Sequence, residues 1–121
     1  MADKSKPVLL AAEFSAMRRI IKILLEKLGY AEVIECDDGL KAMEVLKSKT
    51  VSAIIADKNL PHLLGLELLK AFKAAKASSA IPLILMMTPE EKGSDDGHTV
   101  DAGARILLKP FSAEVLDQAL Q

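Results

Sequence analysis

Residues 8–29 have the sequence VLLAAEFSAMRRIIKILLEKLG, and this stretch decides the class of fold. Its first part, Val8 to Ala12, is an apolar run with no polar interruption, which is typical of a strand buried on both faces of a parallel sheet. The spacing of apolar side chains then becomes helical, with charged side chains on the other side. The apolar positions are Met17, Ile20, Ile21, Leu24 and Leu28. With Gly29 as a C-terminal cap, the stretch predicts a buried strand followed by an amphipathic helix.

The same alternation of short apolar runs and helical spacing continues along the chain. Further strands are predicted at residues 33–36, 53–56, 83–87 and 106–108. Further helices are predicted as a short one with Leu40, Met43 and Leu46 inward, one from about Leu66 to Lys76, and a last one capped by Ser112. Residues 90–99 contain no large apolar side chain and include two glycines. A helix there, the fourth of five, is therefore expected to be short or mobile.

This order of elements predicts an α/β fold. Parallel strands need long crossover connections, and helices in those connections cover both faces of the sheet. We therefore expect residues 1–121 to form a single doubly wound domain of three layers, with a five-stranded parallel sheet in the middle. In such folds the functional site lies beyond the carboxyl ends of the strands. The candidate side chains come from residues 11–13, 57–59 and 87–89 and from Lys109.

The composition excludes several classes of function. The chain has 121 residues, with 16 Lys and Arg, 17 Asp and Glu, and a formal net charge of -1. Since there is no basic cluster, we expect no nucleic-acid contact by this domain. Apolar runs of about five residues are too short to span a membrane, and residues 1–7 lack the apolar segment of a secretory signal. Cys36 is the only cysteine, which excludes a disulfide within the chain and fits a cytoplasmic location.

Six short motifs, taken together in their order and spacing, resemble the response-regulator receiver family. They are MADK at 1–4, FSAMRRI at 14–20, DG at 38–39, DKNLP at 57–61, GLELLK at 65–70 and KPF at 109–111. The resemblance covers nearly the whole chain and is strongest to the single-domain chemotaxis regulators. It implies a flavodoxin-like sheet with the strand order 2-1-3-4-5 and five helices. It also implies two-component signal transduction in the bacterial cytoplasm.

The resemblance implies that Asp57 accepts a phosphoryl group from a histidine kinase or a small phosphodonor. Lys109 matches the phosphate-binding lysine of the family, and the bond from Lys109 to Pro110 matches one that is cis there. Thr88 would be the hydroxyl that follows the phosphoryl oxygen. A Mg2+ ion would bind Asp57, the carbonyl of Asn59 and acidic residues after the first strand. A carboxylate that attacks an anionic phosphoryl group needs this nearby positive charge.

The acidic site departs from the family after the first strand. Family members carry two acids there, whereas this chain has Ala12 and Glu13, so Glu13 alone must supply that metal ligand. Before metal is bound, the site then has one negative charge fewer than usual. One charge lost about 4 Å from the ion forfeits roughly 4 kcal/mol of gross attraction at an effective dielectric of about 20, and less in a solvated pocket. We therefore expect weak Mg2+ binding and a resting ion pair between Lys109 and Asp57.

The predicted switch departs from the family in two places. The spacing from Pro82 to Thr88 is one residue longer than usual, which brings Met87 to the expected position of the hydroxyl residue. Because a shift of one residue reverses side-chain direction in a strand, Thr88 can serve only if a bulge or a shifted strand end restores its aim. Ile106 stands where many members have an aromatic residue that moves with the hydroxyl. The aromatic part of the switch is therefore expected to be absent.

Three functions are consistent with these features. The first is a receiver domain that accepts phosphate on Asp57 inefficiently, binds a histidine kinase and a downstream protein target, and works as a monomer. It would not be an enzyme beyond self-catalysed phosphoryl transfer. The second is a pseudo-receiver that binds a partner protein without phosphorylation. The third, a flavin-binding or catalytic protein of the same fold class, is disfavoured because residues 11–13 offer no Ser, Thr or Gly to cradle a phosphate.

Some of these residues also have simpler structural explanations. Glu13 can stabilise the amino-terminal end of the first helix through the helix dipole, which attracts negative charge. Arg18 and Arg19 are most simply the solvent-facing side of that helix. His62 and His98 have no partner at metal-ligand spacing, so we expect loop histidines without a metal.

Overall fold

The computed structural model describes residues 2–121, which form five strands and six helices. The strands are β1 Val8–Ala11, β2 Val33–Cys36, β3 Ala53–Asp57, β4 Leu83–Met87 and β5 Arg105–Leu108. The helices are α1 Ser15–Lys27, α2 Gly39–Ser48, α3 Gly65–Ala75, α4 Pro89–Gly93, α5 His98–Asp101 and α6 Ala113–Leu120. Each predicted strand is present, with no end displaced by more than one residue. No helix among the described residues is both long and apolar enough to cross a membrane.

The five strands form one parallel sheet in the order β2-β1-β3-β4-β5. This confirms the predicted doubly wound architecture and the predicted strand order. The register aligns the carboxyl ends, because Ala11 pairs with Ala56 and Asp57 pairs with Met86. Adjacent strands lie about 4.8 Å apart, so residues that follow these pairs are neighbours along one edge of the sheet. We call this edge the carboxyl edge.

Apolar side chains cover both faces of the sheet, and the alternation along each strand assigns them to a face. The face against α2 and α3 carries Leu9, Ile54, Leu85 and Met87. The face against α1 and α6 carries Leu10, Ile55, Met86 and Leu107. Asp57 continues the alternation of Ala53 and Ile55, so it belongs to the face of α1 and α6. The acceptor candidate is therefore on the same side of the sheet as the first helix.

The prediction of five helices is wrong by one, because the segment expected to form the fourth helix is divided into α4 and α5. Between them, Asp96 and Gly97 have φ values of 51° and 76°, a left-handed conformation that ends a right-handed helix. The segment is fixed by a polar pair: the buried Thr99 hydroxyl donates to Asp95 at 2.6 Å. This bond holds the pKa of Asp95 below its ordinary value. The expected short helix is confirmed, and its mobility stays a prediction.

Two side chains predicted to face inward are exposed. Ile20 is 62% exposed and Leu40 is 57% exposed. In α1 the buried positions are Ile21 and Leu25, so the inner stripe is centred on these residues and Ile20 lies at its margin. The sequence of α1 has apolar side chains on more than one possible stripe, and packing against the sheet selects between them. A further difference is that His98 begins α5 instead of lying in a loop.

Candidate functional site

Asp57 and Lys109 form an ion pair at the carboxyl edge. Asp57 is the last residue of β3, and its side chain is only 13% exposed. Lys109 follows β5, and its Nζ donates a hydrogen bond of 2.7 Å to Oδ1 of Asp57. The backbone N–H of Lys109 donates to the carbonyl of Met87 at 2.9 Å, and the bond from Lys109 to Pro110 is cis. The structure thus contains the resting ion pair that the sequence led us to expect.

Gly65 holds the loop after β3 close to Asp57. The backbone N–H of Gly65 donates to the carbonyl of Lys58 at 3.1 Å, and the N–H of Lys58 donates to Met86 at 3.0 Å. A Cβ atom at Gly65 would collide with the main-chain oxygen of Asp57 and with the side chain of Leu85. Only glycine therefore permits α3 to begin directly against the end of β3. This contact helps to fix the position of the Asp57 carboxylate.

Thr88 follows β4 on the side of the sheet that Asp57 occupies. Met87 ends β4 and is fully buried on the opposite face, against α2 and α3. Thr88 keeps an extended backbone, with φ of -78° and ψ of 163°, so the alternation directs its side chain to the other face. At the end of β4, Thr88 and not Met87 therefore faces the side of the sheet where Asp57 lies. Of the two candidates for the switch position, the placement favours Thr88.

Glu91 belongs to this site, although the family resemblance did not predict it. Its Oε1 accepts from the backbone N–H of Thr88 at 2.8 Å, and its Oε2 accepts from the Asn59 amide at 2.6 Å. The Thr88 bond first, then the Asn59 bond and the charge of Lys109, hold the pKa of Glu91 below its ordinary value. In return, Thr88 Oγ1 accepts from the N–H of Glu91 at 3.2 Å. The signal in the sequence is the T-x-x-E pattern of a capping box, with Pro89 at the first helical position.

Arg18 organises the part of the carboxyl edge that follows β1. Its Nη1 donates to the carbonyl oxygens of Ala12 and Glu13 at 2.7 Å and 2.9 Å, and its Nε donates to Glu35 at 3.1 Å. The prediction that Arg18 simply faces solvent is therefore wrong. Ala12 is 1% exposed, whereas Glu13 is exposed. Glu13 precedes the N-cap residue Phe14, so it lies just outside the first turn of α1, which contains no acidic residue.

The carboxyl edge carries oxygen atoms of the kind that bind Mg2+, and the side chain at position 12 contributes none. Asp57, Asn59 and Glu13 offer oxygen ligands, and Mg2+ is often held by one or two carboxylates together with water. Ala12 lies beside Asp57, because the preceding residues Ala11 and Ala56 are paired. An acid at position 12 would therefore stand next to the acceptor carboxylate. Within residues 2–121, no group of three or more His, Cys, Asp or Glu side chains is arranged to hold a metal ion.

An apolar groove opens beside the ion pair. It has a volume of about 650 Å³ and runs along α1 and the loop after β5, with Thr88 and Lys109 in its wall. Phe14 and Ile20 line it and are 67% and 62% exposed. Phe111, which follows the cis proline, is also part of its wall. The groove is continuous with the acceptor site, because Lys109 belongs to both.

The comparison with known protein families agrees with this geometry. The family model of the response regulator receiver domain matches residues 8–121. The chain belongs to the response regulator receiver family. It is therefore a receiver domain of two-component signal transduction, a signalling protein and not a classical enzyme. Receiver domains interact with histidine kinases and downstream targets and bind Mg2+ in their active site.

Two chemotaxis proteins are similar to this receiver over most of their length. The chemotaxis protein CheY of Pseudomonas aeruginosa is 36% identical over 115 residues, which cover 94% of this chain and 92% of that protein. The chemotaxis protein CheY-3 of Vibrio cholerae is 36% identical over 119 residues, which cover 98% of this chain and 91% of that protein. These similarities confirm the relationship to chemotaxis regulators. They do not favour a pseudo-receiver that works without phosphorylation.

Solved structures of other receivers confirm the fold. The receiver domain of a sensor histidine kinase from Pseudomonas aeruginosa, with a magnesium ion coordinated in its active site cleft, superposes with a TM-score of 0.82 at 26% identity. That match covers 96% of this receiver and 94% of the other chain. The chemotaxis response regulator CheY4 of Vibrio cholerae has a TM-score of 0.79 at 28% identity and covers 96% of each chain.

Proposed function

We propose that Asp57 is the phosphoryl acceptor of this receiver and that residues 1–121 act as one signalling domain. The observation that carries the proposal is the 2.7 Å bond from Lys109 Nζ to Asp57 Oδ1 at the carboxyl edge. An ammonium at this distance can offset the negative charge of an incoming phosphoryl group without transferring a proton. The largely buried position of both side chains strengthens that interaction relative to water.

In the proposed reaction, a carboxylate oxygen of Asp57 bonds to phosphorus. The P–N bond of a phosphohistidine, or the P–O bond of acetyl phosphate, breaks at the same time, and the leaving imidazole or acetate keeps its electron pair. Lys109 transfers its hydrogen bond from the carboxylate to a phosphoryl oxygen. The Thr88 hydroxyl can donate a hydrogen bond to another phosphoryl oxygen. In the capping box Thr88 Oγ1 acts as an acceptor, and that bond does not use the hydroxyl hydrogen. Water later attacks phosphorus, the bond from phosphorus to the Asp57 oxygen breaks, and inorganic phosphate leaves while Asp57 is regenerated as a carboxylate.

We propose that phosphorylation is inefficient because the metal ligands are incomplete. Glu13, Asp57 and the main-chain carbonyl of Asn59 would hold Mg2+, and the bound ion would supply positive charge to the phosphoryl oxygens. Ala12 contributes no ligand where the family has an acid. Glu91 adds a second obstacle. Its carboxylate interacts electrostatically with Lys109 and accepts a hydrogen bond from the Asn59 side-chain amide. An anionic phosphodonor therefore meets fewer metal ligands than in a complete site, and a carboxylate, Glu91, that competes with it for the charge of Lys109.

The apolar groove along α1 is the proposed docking surface for a histidine kinase. A partner bound there would lie next to Lys109, so its phosphohistidine would have a short path to Asp57. Exposed Phe14 and Ile20 offer the apolar contact area that such a complex can bury. We further propose that the receiver works as a cytoplasmic monomer in chemotaxis-type signalling. The formal net charge of -1 supports the proposal that this domain does not bind nucleic acid.

The acceptor proposal is tested by incubating the protein with acetyl phosphate over a range of Mg2+ concentrations and measuring the intact mass. We expect the gain of one phosphoryl group, which the Asp57→Asn variant should lose. Asp37→Asn, which changes an exposed aspartate before α2, is the matched control and should keep the gain. If folded wild-type protein gains no mass at any Mg2+ concentration, the pseudo-receiver alternative replaces this proposal.

The docking proposal is tested by comparing two phosphodonors. The Ile20→Ser variant should slow transfer from a phosphorylated chemotaxis-type histidine kinase but leave uptake from acetyl phosphate unchanged. Ile23→Ser is the matched control, because Ile23 is an exposed isoleucine of α1 outside the groove. Equal slowing of kinase transfer by both variants would show that the groove is not the docking surface.

A further inference from the structure

A second cavity lies at the amino-terminal edge of the sheet, opposite the acceptor site. It has a volume of about 420 Å³, within the range of small-molecule sites. Its walls come from residues before β1, β3 and β4 and from the carboxyl ends of α2 and α3. Ser52 lines it and precedes β3, whose last residue is Asp57, so the length of that strand, about 16 Å, separates the two sites. We call this cavity the basal cleft.

The floor of the basal cleft is apolar and its rim is basic. The apolar side chains are Leu46, Val51, Phe72 and Ile81. The basic side chains are Lys6, Lys49 and Lys76, all of them exposed. Ser52 fixes the rim, because its hydroxyl donates to the carbonyl oxygens of Lys6 and Pro7 at 3.1 Å and 3.2 Å. The cleft therefore combines a hydrophobic base with cations at a defined entrance.

Among residues 2–121, no carboxylate lies within salt-bridge distance of the three lysines. None of the salt bridges within residues 2–121 includes Lys6, Lys49 or Lys76. Of the acidic side chains among residues 2–121, only Asp3 lines the cleft, and its Oδ1 already accepts from the hydroxyl of Ser5 at 2.7 Å. The basal cleft is thus positively charged in a chain whose net charge is -1.

Helix dipoles account for only part of this positive charge. Lys49 and Lys76 are the C-cap residues of α2 and α3, where cations are favoured. Each helix end is equivalent to about half a negative charge, so two ends together with Asp3 still leave a net charge of about +1. The hydroxyl of Thr50 also lines the cleft and makes no hydrogen bond within residues 2–121, so a further polar group is available there.

We propose that the basal cleft binds a small organic anion that carries an apolar group, such as an aromatic carboxylate. The apolar part covers the floor around Phe72, and the acidic group meets the lysines at the rim. An inorganic anion would gain no contact with the apolar floor, and a neutral apolar molecule would leave the lysines unpaired. This site is separate from phosphorylation and does not depend on the role of Asp57.

The probe for the test is 2-naphthoate, followed by its effect on backbone amide resonances of the full protein. We expect shifts at the residues that line the cleft, with an affinity in about the millimolar range for a ligand of this size. The neutral analogue 2-naphthamide has nearly the same shape and should bind more weakly. Equal binding of the acid and the amide would overturn the proposal, because the cleft would then select no charge.

Two variants test the contribution of the lysines. The double variant Lys49→Gln and Lys76→Gln should weaken 2-naphthoate binding about fivefold, as expected for two exposed ion pairs. The matched control changes Lys41 and Lys70 to Gln, which lie on the same helices outside the cleft, and should bind as wild type does. If the first double variant binds as tightly as the control, the lysines serve only the helix ends and the proposal is wrong.

Discussion

The two sides of the carboxyl edge are built by different means. On the side of β3 and β5, which we call the acceptor side, Asp57 is paired with Lys109 at 2.7 Å, and Gly65 lies against its main chain. On the side of β1, which we call the metal side, Arg18 is bound to the carbonyl oxygens of Ala12 and Glu13. Ala12 provides no side-chain ligand there. Asp57 is thus held by a side-chain ion pair, whereas Ala12 and Glu13 are held by bonds from the Arg18 side chain to their carbonyl oxygens.

From this difference we expect acceptor geometry and metal affinity to be separable in this receiver. The acceptor side depends on the ends of β3 and β5 and on the close contact of Gly65 with Asp57. On the metal side, the N–H of Ala12 still bonds to the carbonyl of Cys36 at 3.0 Å, so the backbone there does not need an acidic side chain. A change at position 12 can therefore alter metal binding without disturbing Asp57.

The largest expected effect comes from removing the charge partner of the acceptor. Lys109→Met should slow phosphoryl uptake from acetyl phosphate by about a hundredfold, as expected when one preorganised donor to the transferred group is lost. The rate is measured by intact mass over time. Lys47→Met, which changes an exposed lysine of α2, is the control and should keep the wild-type rate. An unchanged rate in Lys109→Met would contradict the assignment of the acceptor side.

The next largest effect is on stability, through the contact between α3 and β3. Gly65→Ala should lower the free energy of unfolding by about 2 kcal/mol, because the new methyl group collides with the main chain of Asp57. Urea denaturation measures this change. The control is Gly93→Ala, since a Cβ at Gly93 meets nothing within 4 Å, and its effect should stay below about 1 kcal/mol. Equal effects would show that the close contact does not matter.

A smaller effect is expected from restoring the missing acid of the metal side. Ala12→Asp should tighten Mg2+ binding about tenfold, which is less than the gross Coulomb attraction because solvent screens the site. Ala12→Asn, of similar size but neutral, is the control and should stay near the wild-type affinity. Since the chain has no Trp, calorimetry is a better measurement than intrinsic fluorescence. Equal tightening in both variants would point to size, not charge.

The smallest effect is a pH dependence of stability that links α4 to the acceptor side. Because the folded pKa of Glu91 is below its ordinary value, its carboxylate stabilises the fold above that ordinary value, about 4.5. This stabilisation is lost as the pH falls through the folded pKa. The difference in unfolding free energy between wild type and Glu91→Gln should therefore be below about 1 kcal/mol and constant near neutral pH. In acid this gap should disappear.

Urea denaturation over a pH series measures this gap. The matched control is Glu90→Gln, because the neighbouring carboxylate makes no hydrogen bond within residues 2–121. We expect a smaller difference from wild type for Glu90→Gln at every pH. A gap for Glu91→Gln that widens in acid would mean that Glu91 does not bind Thr88 and Asn59 as a carboxylate.

Most of the strand pattern and part of the site could be predicted from local sequence. A buried strand such as 83–87 is visible because its side chains are apolar on both faces. Lys109 and Asp57 could be placed together because both follow predicted strands of one parallel sheet. Glu91 was missed, although the T-x-x-E pattern was present, because its bond to Asn59 joins residues 32 positions apart in the chain. The spacing in α1 predicts an inward Ile20, whereas the structure buries Ile21 and Leu25. Spacing alone cannot tell which of two neighbouring apolar stripes packs against the sheet.

The sequence by itself determined the alternation of strands and helices, the retained pair of Asp57 and Lys109, and the absence of an acid at position 12. These properties depend on the identity of single residues and on spacing within one element. Only the tertiary structure decided that Thr88 lies on the same face of the sheet as Asp57, that Arg18 bonds to the backbone after β1, and that three lysines line the basal cleft. Each of these depends on where separate elements end relative to one another, and packing across the whole sheet sets those positions.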